Sequence, residues 1–127
     1  MAIVTKTVFD GDRKAINKAT SHGDAAAAGT VFVDASALTA GRTAVSFAIE
    51  EIWYSVQGFE YLKLEFDATT NVLINMLTGD GYMDFRQMGG LVDPRATGTT
   101  GDIIYETEAA GAGTDSFDIT IVVRKKF

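Results

Sequence analysis

Between residues 5 and 123 one pattern keeps returning: short runs in which apolar and polar side chains alternate, cut by glycine and aspartate. Successive side chains of an extended chain point to opposite faces, so alternation with a period of two marks a half-buried strand. In the last run Phe117, Ile119, Ile121 and Val123 share one face. Over 59–67, Leu62, Leu64 and Phe66 oppose Tyr61, Lys63 and Glu65. Over 43–52, Val45, Phe47 and Ile49 oppose Ser46 and Glu50. Residues 5–9, 30–34, 72–77 and 103–107 are further strand-like runs rich in β-branched, aromatic or aliphatic residues. Asp10-Gly11 is a favoured hairpin pair, so 13–20 is expected to return as a paired strand around Ile16. Helix is the rival reading there, because Lys14-Ala15 and Lys18-Ala19 recur at helical spacing. The four alanines before Gly29 are too few to nucleate a helix, so 21–30 reads as a loop, with a connection at 35–42 and a second soft loop at 109–114.

About eight strands at short spacing, with no room for a strand-helix-strand rhythm, define an all-β chain. The expected fold is an antiparallel β-sandwich (jelly-roll or immunoglobulin-like) or a barrel, with one long Gly-rich loop. A length of 127 residues suits a single β domain, with residues 1–9 as a candidate extended N-terminal arm. A hydrophobic fraction of 46% supports a core, and 22% charged residues are too few for a disordered chain. No apolar run reaches the ~18 residues of a membrane-crossing helix, and the N-terminus lacks the basic-then-apolar pattern of a signal peptide. The chain has no cysteine, which excludes disulfides and thiolate chemistry.

Residue types that carry catalysis are sparse. The single histidine, His22, sits beside a loop glycine, where a solvated role is commoner than a catalytic one. Glu50 and Glu51 are adjacent, and in a regular strand they point to opposite faces, so they cannot flank one bond. Asp80, Asp84, Asp93 and Asp102 lie in the Gly-rich region, but their spacing matches no calcium loop, and Asp beside Gly is ordinary turn chemistry. GTTGD, from Gly98, lacks the lysine of a phosphate loop. No enzyme, cofactor or metal is expected. A formal charge of −6 argues against a nucleic-acid partner, and no membrane partner is expected. Arg124, Lys125 and Lys126 form the one basic cluster, either a solvated chain end or a contact for an acidic neighbour.

The remaining signal is the segment GYMDFRQMGGLVDP, residues 81–94, within a Gly-rich region spanning 79–102. Structureless loops longer than ~15 residues are uncommon unless they have a role. Tyr82, Met83, Phe85, Met88, Leu91 and Val92 offer large apolar contact area there. Such a loop either closes one end of its own sandwich or packs on another copy or another protein. Trp53 and Tyr54 are adjacent, so one faces the core and the other is exposed or capped by a loop. The interface candidates are therefore Tyr82, Met83, Phe85, Met88, Leu91, Trp53, Tyr54, Arg124, Lys125 and Lys126. In a glycan-binding module, Tyr82, Phe85 and Trp53 would be the stacking residues.

The order VFDGDRKAI, VFVDASAL, IEEIWYSVQGFEYLKLEFD, GYMDFRQMGGLVDPRATGTTGDII and FDITIVVRKKF resembles small virion structural proteins of tailed bacteriophages, marine ones in particular. The shared features are an early DGDR turn, an IWYS segment leading into a strand, a GxGYxDF…GGLxDP loop ending in TGDI, and a basic carboxyl end. They run in order across nearly the whole chain. The alanine-rich AAAAG loop departs from the pattern. The resemblance implies a non-enzymatic virion protein made in the bacterial host cytoplasm, a capsid decoration (cement) protein first of all. Its partners would be the major capsid protein or other virion proteins, and copies of itself as a homo-oligomer. A neck, tail or baseplate component, or a carbohydrate-binding adhesion module, is the alternative.

Overall fold

The alternation becomes strand pairing in a computed structural model that describes residues 3–38, 40–41, 44–108 and 115–127. The strands among these residues are β1 (Val4–Asp10), β2 (Lys14–His22), β3 (Thr30–Val33), β4 (Ser46–Gln57), β5 (Tyr61–Phe66), β6 (Val72–Leu77), β7 (Gly79–Asp84), β8 (Leu91–Val92), β9 (Ile103–Glu108) and β10 (Ser116–Lys126). Single 3-10 turns at Ala35–Ala37 and Arg86–Met88 join β3 to β4 and β7 to β8. The loop expected at 109–114 lies outside the described residues.

The strands form two sheets. One runs β1-β2-β10-β4-β7, with β8 also pairing β4; the other runs β3-β9-β5-β6. Every pairing is antiparallel. The order β2-β10-β4-β7 packed on β3-β9-β5-β6 is the double Greek key of a jelly roll, with β1 as an added edge strand. One core fills the space between the sheets. Ile49, Ile52, Val56, Phe117, Ile119, Ile121 and Val123 come from the larger sheet; Phe32, Leu62, Leu64, Phe66, Leu77, Ile103 and Tyr105 come from the smaller.

Residues 14–22 are a strand, and the helical spacing was a coincidence of periods. Ala15, Asn17, Ala19 and Ser21 are buried while Lys14 and His22 are exposed, since four is also a multiple of two. The small inner side chains let β3 come close, and the Asn17 amide donates to the Phe32 carbonyl at 3.4 Å. The candidate N-terminal arm is docked over its described part, where β1 pairs along β2.

Two features depart from the sequence reading. The Gly-rich region 79–102 is not one loop, because it supplies β7, a 3-10 turn and β8, all beside β4. Glycine masked β7: Gly79, Gly81 and Met83 alternate with exposed Asp80, Tyr82 and Asp84. A β-carbon on Gly81 would overlap the Tyr54 hydroxyl, so the tyrosine ring occupies the space a side chain would fill. The second departure is a β-bulge. Val122 pairs with Glu51 and Val123 with Ile49, which leaves Glu50 as the extra residue of β4. Phe47 and Ile49 face the core before the bulge, Ile52 and Val56 after it, and Val45 is exposed rather than inward.

Candidate functional site

The bulge turns Glu50 and Glu51 to the same, outer face of the six-stranded sheet, correcting the expectation that they oppose each other. Glu50 pairs with Lys14 at 2.8 Å and Arg124 at 3.3 Å. Glu51 pairs with Arg86 at 3.0 Å and accepts a hydrogen bond from the Tyr82 hydroxyl at 3.3 Å. Both carboxylates are thereby committed to cations of their own chain.

The basic cluster is neither a solvated end nor a free patch. Arg124 also donates to the Gly89 carbonyl at 2.9 Å, which ties β10 to the turn after β7. Lys125 is 0% exposed at its side chain and donates to Asp10 at 2.6 Å and to the Ala40 carbonyl at 3.0 Å. An inward position on the alternating β10 buries it, so Lys125 is no interface residue. Lys126 is half-buried at the end of the strand.

The apolar residues of 81–94 divide by burial. Met83, Phe85 and Leu91 are partly buried and pack against the core, as does Tyr54. Phe85 therefore helps to close its own sandwich. Tyr82, Met88 and Val92 stay exposed, Met88 at 69%. The four aspartates of the region do not converge. Asp93 accepts from the Arg95 backbone at 2.8 Å, Asp102 from the Ala35 backbone at 2.8 Å, and burial pushes the Asp102 carboxyl above its ordinary value. Among the described residues, no group of three or more acidic or histidine side chains is placed to hold a metal. GTTGD is a structural turn in which Thr100 donates to Asp67 at 2.7 Å.

What the strand register does bring together is an aromatic and polar patch on the outer face. Trp53 of β4 lies opposite Tyr82 of β7, and their rings stack with centroids 5.0 Å apart and planes tilted by 32°. Behind them Arg86 grips Asp84 through both carboxylate oxygens, at 3.0 and 2.8 Å. The Arg86 guanidinium, helped by the Arg86 backbone N–H, holds the Asp84 carboxyl down to about 2. Partial desolvation, with Asp84 and Glu51 nearby, pushes the Tyr82 phenol up, so it remains a donor at neutral pH. In the next row of the sheet Asp80 accepts from Ser55 at 2.7 Å and from Gln57 at 2.8 Å. Lys18 and Asp118 pair at 3.4 Å across β2 and β10. Together Lys18, Trp53, Tyr54, Ser55, Asp80, Gly81, Asp118 and Thr120 line a shallow cleft of about 380 Å³.

The Asp84–Arg86 latch has a titration signature. A carboxyl whose folded value lies below its ordinary one stabilises the fold above that ordinary value and loses the contribution as pH falls through the folded value. Asp84 is expected to titrate with a midpoint near 2 by carboxyl carbon NMR. Arg86→Met should return the midpoint toward ~3.9, the unperturbed aspartate value. An ordinary midpoint in the unmodified chain would show that the latch is not formed in solution.

The fold and patch define a class: an antiparallel jelly-roll domain whose outer sheet face carries an exposed aromatic pair beside a polar cleft. No protein-family model and no curated protein matches the chain. Among solved structures it is similar to a Ralstonia eutropha JMP134 protein bearing the provisional name mannose-6-phosphate isomerase, at 9% identity and a TM-score of 0.38, over 99% of this chain and 86% of that one. So distant a likeness carries no argument about function.

Proposed function

We propose that this protein is a non-enzymatic structural component of a tailed-phage virion, a decoration protein that binds the assembled head lattice and reinforces it. The observation that carries the reading is where the exposed apolar side chains lie. Val4, Val8 and Phe9 are exposed on β1, with Val31 on β3 at the same side of the sandwich. Leu73, Met76, Met88 and Val92 are exposed on and around β6 and β8 at the opposite side. An edge strand carrying exposed apolar residues is a template for association. Two different adhesive edges on opposite sides suit head-to-tail contacts, which close into rings or extend along a lattice. Each contact is small, and many tethered copies add avidity without new contacts. The resemblance of its motif order to phage virion proteins supports the same reading.

The test is binding of the purified protein to assembled heads that lack it, read as bound copies per capsid subunit. Saturation in fixed proportion to the lattice, with a raised temperature of head rupture, is the expected result. Phe9→Asp with Met88→Asp, both at exposed positions, should lower occupancy at least tenfold while the circular dichroism spectrum stays unchanged. A few copies at a single vertex would instead place the protein in the neck or tail. Absence of binding to heads would remove the lattice role.

A further inference from the structure

We propose that the cleft beside Trp53 binds a neutral sugar, one pyranose unit of a glycan, independently of the lattice contacts at the edges. Sugar rings present an apolar C–H face and a rim of hydroxyls, and the cleft offers the complement of both. Trp53 is 42% exposed, and Tyr82 stacks against it from the next strand, so the indole is held in place rather than free to collapse. Tyr82 is itself fixed by the bond from its hydroxyl to Glu51. Aromatic side chains so braced lose little entropy when a ligand stacks on them. Groups that can meet the hydroxyls lie beside the indole. Asp80 is set by Ser55 and Gln57, and Lys18 and Asp118 form an exposed pair at 3.4 Å. Carboxylates, an ammonium and the Ser55 and Thr120 hydroxyls together both donate to and accept from sugar hydroxyls.

The charge of the lining discriminates among ligands. Asp80 and Asp118 against Lys18 leave the cleft with one net negative charge, which disfavours phosphates and nucleic acid. A wholly apolar ligand would strip water from two carboxylates without replacing their hydrogen bonds. A neutral polyhydroxyl ring meets neither penalty. The volume of about 380 Å³ falls in the range of small-ligand sites, roughly 300–1,000 Å³, at the end that suits one or two sugar units.

The chain's single tryptophan is the site's own reporter. Intrinsic fluorescence of the full chain, titrated with a panel of neutral disaccharides and oligosaccharides at millimolar concentration, is expected to change saturably for at least one. Amide NMR shifts should move at Ser55, Asp80, Gly81 and Thr120. Asp80→Ala, at an exposed position, should weaken that binding at least tenfold with the fold intact. Trp53→Ala, followed by the same amide shifts, should abolish it. No saturable change across the panel overturns the proposal, as does equal affinity in Asp80→Ala. Saturation by choline with none by sugars overturns it too, in favour of a cation held by the indole and the carboxylates. Head binding is untouched by any of these outcomes, so the two readings fail separately.

Discussion

Phe117→Ala is expected to destabilise the domain by about 3–5 kcal/mol, the range for deleting a fully buried phenylalanine side chain. Phe117 is 2% exposed and belongs to an aromatic chain that stitches the sheets together. Its ring lies 5.7 Å from Tyr105 and 6.0 Å from Phe59, and Tyr105 lies 5.4 Å from Phe32. Phe117 is on β10 and Tyr105 on β9, so the contact crosses from one sheet to the other. Aromatic pairs add about 0.5–1.5 kcal/mol beyond area burial, and the alanine would lose two, one edge-to-face with Tyr105 and one tilted with Phe59. Domains of this size are stable by roughly 5–15 kcal/mol, so the variant loses a large share. Urea unfolding should show a lower midpoint at unchanged slope. Val122→Ala, on the outer face of the same strand, should stay below about 1 kcal/mol. Similar losses for both would mean that the core does not lie where the fold puts it.

Asp10→Ala is expected to cost up to about 3–5 kcal/mol, the loss when one partner of a buried ion pair is removed, because Lys125 is fully buried although Asp10 is 23% exposed. It strands the buried Lys125 ammonium against the Ala40 carbonyl, without the one carboxylate paired to it among the described residues. Lys125→Met is expected to cost far less, because it removes the charge and keeps an apolar stem of similar length. Thermal or denaturant unfolding of both variants gives the order, and the reverse order would refute the account. The pair ties the end of β10 to the β1–β2 hairpin, where the Lys125 N–H also donates to the Arg13 carbonyl at 2.7 Å. That hairpin carries Val8 and Phe9, so loosening it disturbs the edge assigned to lattice contact.

The functional proposals use different surfaces of the molecule for a physical reason. A sandwich buries its inner faces and leaves edges and outer faces to the solvent. The edges offer unpaired backbone and apolar side chains to protein neighbours. The outer sheet face, twisted but rigid, offers side chains at fixed spacing, which is what recognition of a small ring requires.

The amino-acid sequence alone determined the fold class and most strands. In β5 and β10 the buried positions follow the alternation residue by residue, because that period belongs to the local backbone and needs no knowledge of partners. Tertiary structure decided the rest. Glycines at inner positions of β7 hid its alternation, and the reason for Gly81 is the ring of Tyr54 on a neighbouring strand. The bulge at Glu50 exists only as a mismatch between two paired strands, and it alone puts Glu50 and Glu51 on one face. Lys125 reads as part of a basic tail until β10 turns it inward onto Asp10. The Trp53–Tyr82 stack and the cleft beside it depend on which strand lies next to β4 and in which register. Alternation is written in neighbouring residues. Strand order and register are set by hydrogen bonds and packing between segments far apart in the chain, so the candidate site had no local signal beyond its separate aromatics.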